Sequence, residues 1–308
     1  MSGIVRTSSV SVAAAAAILL PFSSVQAQGR PLARTSWGDA DLQGVWNYGT
    51  MTPVERPAQW AGREVLSEAE AVEYERRTIE RRAGGLQTAG PDWWEPENNV
   101  LRNRRTSLVV DPPDGRIPPL TAEAEARRSA ARGGGGPLYD DPENLSLQDR
   151  CIAWPSTGPP MMPTVYNNNV EIVQTPGYVV LVTEMIHNAR IVPMDGRPHD
   201  AMASMHGDPL GHWEGDTLVV ETTNFDGRLR FRGSGRGLRL VERFTATSEG
   251  TLEYRFTVDD SDTWSRPWTV RIDMGRADGE IFEFGCHEGN ARSIEGILGG
   301  ARYEERQR

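Results

Sequence analysis

Lysine is missing from all 308 residues, so every one of the 33 basic side chains is an arginine. That absence excludes Schiff-base catalysis, a lysine general base and the phosphate-gripping lysine of a P-loop. Arginine offers instead a planar, permanently charged fork that suits carboxylates and stacks on rings, so anionic and aromatic ligands stay open. Cysteine is scarce, with Cys151 and Cys286 the only two. Long apolar runs are missing as well. The N-terminal one, Val10 to Phe22, holds 13 residues against the roughly 20 that a membrane-spanning helix needs. No Gly-x-Ser-x-Gly elbow, Walker A loop, dinucleotide glycine motif, His-Glu-x-x-His or Cys-x-x-Cys occurs, so no nucleotide, cofactor or closed zinc chemistry is expected. With 43 acidic against 33 basic side chains, the chain has no general attraction for nucleic acid or anionic lipid.

What is present begins with a leader. Arg6, the apolar run and Val25-Gln26-Ala27 read as a signal peptide over residues 1–27, cleaved after Ala27. Residues 28–308 are then expected to form a single periplasmic or secreted domain, with residues 28–150 as an extended arm carrying helices and 151–308 as the β core. In an oxidising compartment two cysteines far apart in sequence read as a disulfide, worth about 4–5 kcal/mol on the chain-entropy model. The competing reading is a nucleophilic or metal-bound thiol, because Cys286 precedes His287 and Glu288. Oxidation of a free thiol in that compartment favours the bridge.

Ser67 and Glu70 form a capping box ahead of a helix over residues 68–82, stopped by Gly84-Gly85. Thr121 caps a second helix over residues 122–132, followed by four glycines. Elsewhere the period is two. Strands are predicted over residues 44–46, 108–110, 170–174, 178–187, 190–193, 217–225, 238–247, 251–258, 268–274 and 281–286, separated by Pro-Gly, Asp-Gly, Gly-Asp and Glu-Gly turns. Leu252, Tyr254, Phe256 and Val258 alternate with polar residues, a half-buried strand. Tyr178 to Ile186 is apolar on both faces, which marks a strand covered on each side. Gly233 to Gly237 reads as a flexible loop. The predicted fold is mainly β, an antiparallel meander closing into a lipocalin-like barrel or a sandwich, with one or two peripheral N-terminal helices.

The blocks Glu184-Met185-Ile186-His187-Asn188-Ala189-Arg190, Asp195-Gly196-Arg197, Gly211-His212-Trp213-Glu214-Gly215-Asp216-Thr217-Leu218-Val219-Val220 and Glu242-Arg243-Phe244, with Pro267-Trp268 and Cys286-His287-Glu288, resemble a family of exported bacterial hypothetical proteins. The likeness spans most of residues 37–303. It implies a shared fold and export, and brings no activity, substrate or cofactor.

Three clusters carry possible chemistry. Glu184 shares a strand face with Val180 and Val182, so a buried carboxylate there could act as general acid or base. His187 could shuttle a proton and Arg190 could hold an anionic substrate. In regular β geometry Glu184 and His187 face opposite ways and meet only across a bulge or turn. The bland reading is a buried Glu184–Arg190 ion pair. The second cluster runs from His199 to His212 with Met202, Met205, His206 and Asp208. It could place a catalytic His206 or Asp208 over the barrel mouth, or offer soft copper ligands, or be an ordinary loop. The third is Glu242, out of place between Leu240 and Phe244, either paired with Glu288 as a catalytic carboxylate or neutralised by an arginine. Trp213 and Trp268, among nine tryptophans, could hold a ligand together with Glu242, or the two rings could plug the barrel ends.

Together these features lead to an exported acid/base enzyme, a lyase, hydrolase or isomerase, acting on a small molecule in a barrel cavity. Its expected catalytic residues are His187, Glu184, Arg190, His206, Asp208 and Glu288. The alternatives are a non-catalytic periplasmic carrier and a copper-handling protein. No nucleic-acid partner and no membrane span are expected, and the sequence leaves the oligomeric state open.

Overall fold

Strict alternation along three long strands sets the architecture. β8 (Arg239–Ser248), β9 (Thr251–Asp259) and β10 (Trp268–Arg276) each bury every second residue. Leu240, Glu242, Phe244 and Ala246 face the same interior as Leu252, Tyr254, Phe256 and Val258, and as Trp268, Val270, Ile272 and Met274. The computed structural model describes residues 33–85, 103–133, 139, 141–154, 157–164 and 166–307. The expected leader and the Trp93-Trp94 pair lie outside them.

The sheet continues through β1 (Gly44–Asn47), β2 (Val109–Asp111), β3 (Asn169–Thr175), β4 (Tyr178–Thr183), β5 (Ala189–Pro193), β6 (Asp208–Glu214) and β7 (Thr217–Thr223). Nine strands circle a nearly closed barrel in the order β5-β4-β3-β1-β10-β9-β8-β7-β6, and β2 pairs with β10 off this path. All eight neighbouring pairs are antiparallel. An odd number of alternating strands makes the two ends, β5 and β6, run the same way where they meet. Gly211 permits that meeting. A Cβ there would sit 2.8 Å from Val192 Cγ1 and in collision with Met194 Sδ.

The N-terminal segment does more than pack on the core, because β1 fills the wall between β3 and β10. α1 (Glu68–Gly85) starts at the expected capping box, with the Ser67 backbone N–H and hydroxyl both donating to Glu70. It covers a small second core of Met51, Trp60, Leu66 and Ala71. α2 (Ala122–Gly133) is capped by Thr121, whose Oγ1 accepts from the Ala124 N–H.

Four local expectations need correction. Residues 208–212, read as part of a loop over residues 199–212, belong to β6, because the seam with β5 and the β7 ladder override the strand-breaking Pro209 and Gly211. Residues 281–286 form no strand. Phe282 is 79% exposed there, and α3 (Asn290–Gln307) follows. β4 is covered on one face only, since its inward residues are Val179, Leu181 and Thr183, while Val180 lies in an outer row between Val173 and the exposed Ile191. The glycine loop after Phe231 is pinned, with Ser234 buried and the Gly235 N–H donating to Asp260 Oδ2 at 3.0 Å.

Cys151 and Cys286 form a disulfide with a Cα separation of 5.8 Å. It fastens the irregular segment before α3 to the connection that enters the barrel, and Asn290 reinforces the tie through Asp149 O and Cys151 Sγ. Among the described residues no helix is long and apolar enough to cross a membrane.

Candidate functional site at the barrel mouth

The barrel interior holds a polar network among apolar walls. Arg190 on β5 points inward and meets Glu242 on β8 through two bonds, Nη1 to Oε2 at 2.6 Å and Nη2 to Oε1 at 3.0 Å. Tyr254 on β9 donates its hydroxyl to Glu242 Oε1 at 2.6 Å and accepts the Met161 N–H at 3.1 Å. All three side chains are buried. Burial and the neighbouring Glu242 charge push the Tyr254 hydroxyl well above its ordinary pKa. Burial works against the Arg190 charge, but Glu242 more than restores it, so its pKa rises.

The Met161 contact comes from a plug. Residues Thr157 to Met162 are all buried, and Met161 and Met162 pack against the inward strand residues. Gly158 in this plug is close to His206, which lies in the connection before β6, and its backbone carbonyl favours the protonated ring. Nδ1 of the same ring faces the Asn188 amide at 3.5 Å. Because the amide nitrogen is a donor, Nδ1 accepts and the neutral ring's single proton sits on Nε2. Burial first and the Arg190 charge second hold the His206 pKa below its ordinary value, against the Gly158 carbonyl and Asp226. The half-buried ring is therefore neutral near pH 7.

Asn188 reaches His206 because β4 breaks early. At Thr183 the chain enters a 3-10 turn over Met185–His187 in which Ile186 has φ +62° and His187 φ +41°. A β-branched residue in the left-handed region is strained by roughly 1–3 kcal/mol, and such strain concentrates at functional sites. The turn sends the two expected partners apart. Glu184 is buried at 4% exposure and accepts from Asn169 Nδ2 at 2.5 Å and Asn167 Nδ2 at 3.2 Å. His187 is exposed. Glu184 therefore pairs with asparagines and not with Arg190, and the turn, not the face of Val180 and Val182, accounts for its burial.

The remaining expected residues scatter. Asp208 Oδ2 receives His199 Nδ1 at 3.0 Å and the Asp200 N–H at 2.7 Å, which ties the loop to β6. His212 is exposed beside Glu214. Glu288 is exposed near the disulfide while Glu242 is fully buried, so they form no carboxylate pair. Met202 is 73% exposed, and among the described residues no three His, Cys, Asp or Glu side chains converge as a metal site. Trp213 is half-buried against the main core. Trp268 closes the mouth, stacked on Phe231 at 6.0 Å and edge-on to Trp264 at 5.5 Å.

Trp268, Val258, Leu240 and Thr222 form one register row at this end. Trp268 Nε1 and Thr222 Oγ1 are buried there without a hydrogen-bond partner among the described residues. Thr222 lies directly beneath Gly207, next to His206. Buried polar atoms without partners are uncommon, and here they lie in the row beside a neutral histidine. Sequence reading missed Asn188, the Asn167-Asn168-Asn169 run and the Gly158-Pro159-Pro160-Met161-Met162 plug. A run of three asparagines just before a strand, and a Pro-Pro-Met-Met stretch too apolar for a surface loop, were the available signals.

A scan against protein-family models finds no match to this chain, and a search of the curated proteins finds none either.

Proposed function

We propose that this protein is an exported enzyme that performs acid/base chemistry on a small organic molecule, with His206 at the barrel mouth as the proton-transfer group. The observation that carries the reading is the state of His206. Its half-buried ring is kept neutral by burial and by Arg190, and is oriented by the Gly158 carbonyl and the Asn188 amide. A neutral imidazole whose acceptor nitrogen, Nδ1, is covered only by the long 3.5 Å contact to the Asn188 amide can act as a general base near pH 7 once a substrate proton takes the place of that amide. The leader expected from the sequence and the disulfide support export.

Roles shift accordingly. Arg190 spends both terminal nitrogens on Glu242, so it tunes His206 from within and does not anchor substrate. Asn188 is a positioning residue. Glu184, bound to Asn167 and Asn169, stabilises the strained turn that presents Asn188. A carrier with an open barrel cavity finds less support, because the Thr157 to Met162 plug occupies the interior.

The test uses the purified protein and a periplasmic small-molecule extract, with mass spectrometry to follow compounds consumed or formed. Wild type is expected to convert at least one compound, and His206→Gln to slow that conversion by about 10²–10⁴-fold. An extract left unchanged by wild type, or a fully active His206→Gln, overturns the reading.

A further inference from the structure

The connection from β7 to β8 carries Arg228, Arg230 and Arg232 at alternate positions, and α2 carries Arg127 and Arg128. Four of these five meet. Arg127, Arg128, Arg230 and Arg232 line two abutting clefts of about 450 and 510 Å³ that share Leu120, Arg128 and Arg232. Volumes of this order suit a small organic ligand. The floor is apolar, with Leu120, Ala124 and Trp264. The walls are fixed, because Thr121 Oγ1 and Arg127 Nη2 both donate to the Asp262 carbonyl, at 3.0 and 2.9 Å.

Four guanidinium groups in one concavity are unexpected on a chain with a net charge of −10. Two carboxylates lie near them. Glu125 is matched to Arg128 at 2.5 Å, and Glu55 accepts the Ile117 N–H at 3.0 Å. Arg127 uses one nitrogen on Asp262, and Arg230 uses Nε on the Gly227 carbonyl at 3.0 Å. Arg232 has no hydrogen-bond or ion-pair partner among the described residues, and its backbone is held at φ +51°. Its side chain is exposed at the cleft rim, and partial desolvation there pulls its pKa below the ordinary arginine value, which Glu55 only partly offsets. An exposed guanidinium gathered with three others in one cleft, without its own carboxylate, is a charge arrangement that an incoming anion completes.

We propose that the cleft between α2 and the Phe231–Gly233 turn binds an organic anion, a phosphate- or carboxylate-bearing compound with a flat apolar body. Arg230 and Arg232 grip the oxyanion with their planar forks, and the body rests on Leu120 and Trp264. The site is independent of the chemistry assigned to His206.

Phenyl phosphate is the probe, titrated calorimetrically into the purified protein at low ionic strength, with inorganic phosphate and benzoate in parallel. One saturable site with Kd of about 1 mM or tighter is expected, weakened by added salt. Arg232→Gln and Arg230→Gln are each expected to weaken binding by about tenfold or more, as is usual for losing a charge-assisted contact. Arg239→Gln, whose guanidinium is engaged by Glu221 at 2.9 Å, and His206→Gln are expected to bind as wild type does. Unfolding midpoints of all variants check that the fold survives. Inorganic phosphate binding as tightly as phenyl phosphate removes the apolar half of the proposal. Absence of saturable binding of both phenyl phosphate and benzoate up to about 10 mM overturns it, as does wild-type affinity in a folded Arg232→Gln.

Discussion

Arg190 and Glu242 face each other across the inside of the barrel, their side chains 5% and 0% exposed, joined by two bonds of 2.6 and 3.0 Å. They belong to strands on opposite sides of the seam, so the pair bridges the part of the wall that lacks a complete hydrogen-bond ladder. Removing one member leaves the other charged and buried. Glu242→Leu is expected to lower stability by about 3–5 kcal/mol in urea unfolding. The triple replacement Arg190→Met, Glu242→Leu, Tyr254→Phe removes the three buried side-chain polar ends together, leaving only the Met161 N–H without its acceptor, and is expected to recover part of that loss. Equal stability of wild type and Glu242→Leu would contradict a structural role for the pair.

The seam itself rests on Gly211. Adding a side chain there forces Val192 and Met194 aside, and Val192 is buried in the main core. Gly211→Val is expected to cost about 1–3 kcal/mol and to speed hydrogen exchange in β5 and β6 ahead of β8 to β10. Met194→Ala in the same chain opens room and is expected to return part of the stability. Uniform exchange across the barrel would show that the seam is not the weak line.

These two features mark the boundary of what the sequence reveals. The inward faces of β8 and β9 are legible because alternation is local, and Leu252 to Val258 needs no partner to be recognised. Glu242 is legible as an anomaly for the same reason. Which of 33 arginines neutralises it depends on how the barrel closes, and that depends on contacts between strands far apart in the chain. β6 escaped notice because Pro209 and Gly211 mimic a loop, although the glycine is needed for close approach. Residues 281–286 misled in the other direction. Their apolar members serve the disulfide segment and the Phe284–Tyr166 stack at 6.5 Å, with no strand beside them. His206 looked like one member of a loop cluster. Its importance comes from Gly158, Asn188 and Arg190, which converge on it from two other segments.

The disulfide closes a separation of 135 residues, yet both cysteines lie outside the barrel strands. Reduction, or Cys151→Ser with Cys286→Ser, is therefore expected to release the segment carrying α3 while leaving the barrel folded. Limited proteolysis should then trim the chain beyond Arg276, and global stability should fall by about 2–5 kcal/mol. Loss of the whole β signal on reduction would instead make the bridge a condition of barrel formation.

The histidine makes the most direct prediction, because its protonation links stability to function. Burial and Arg190 lower the folded-state pKa of His206 from its ordinary 6.5. Between the folded value and 6.5 the unfolded chain binds more protons than the folded one, so stability rises with pH across that window. The contribution is complete above 6.5 and is lost as pH falls through the folded value. Nitrogen-detected NMR of the imidazoles should give His206 a midpoint below 6.5. Its neutral form should carry the proton on Nε2. Unfolding measured from pH 7 to 4 should show a slope that His206→Gln reduces. Any activity that depends on His206 as a base should rise through the same midpoint. A midpoint at or above 6.5 would mean that the ring is not held neutral by the network beneath it, and would remove the physical basis for its role as the base.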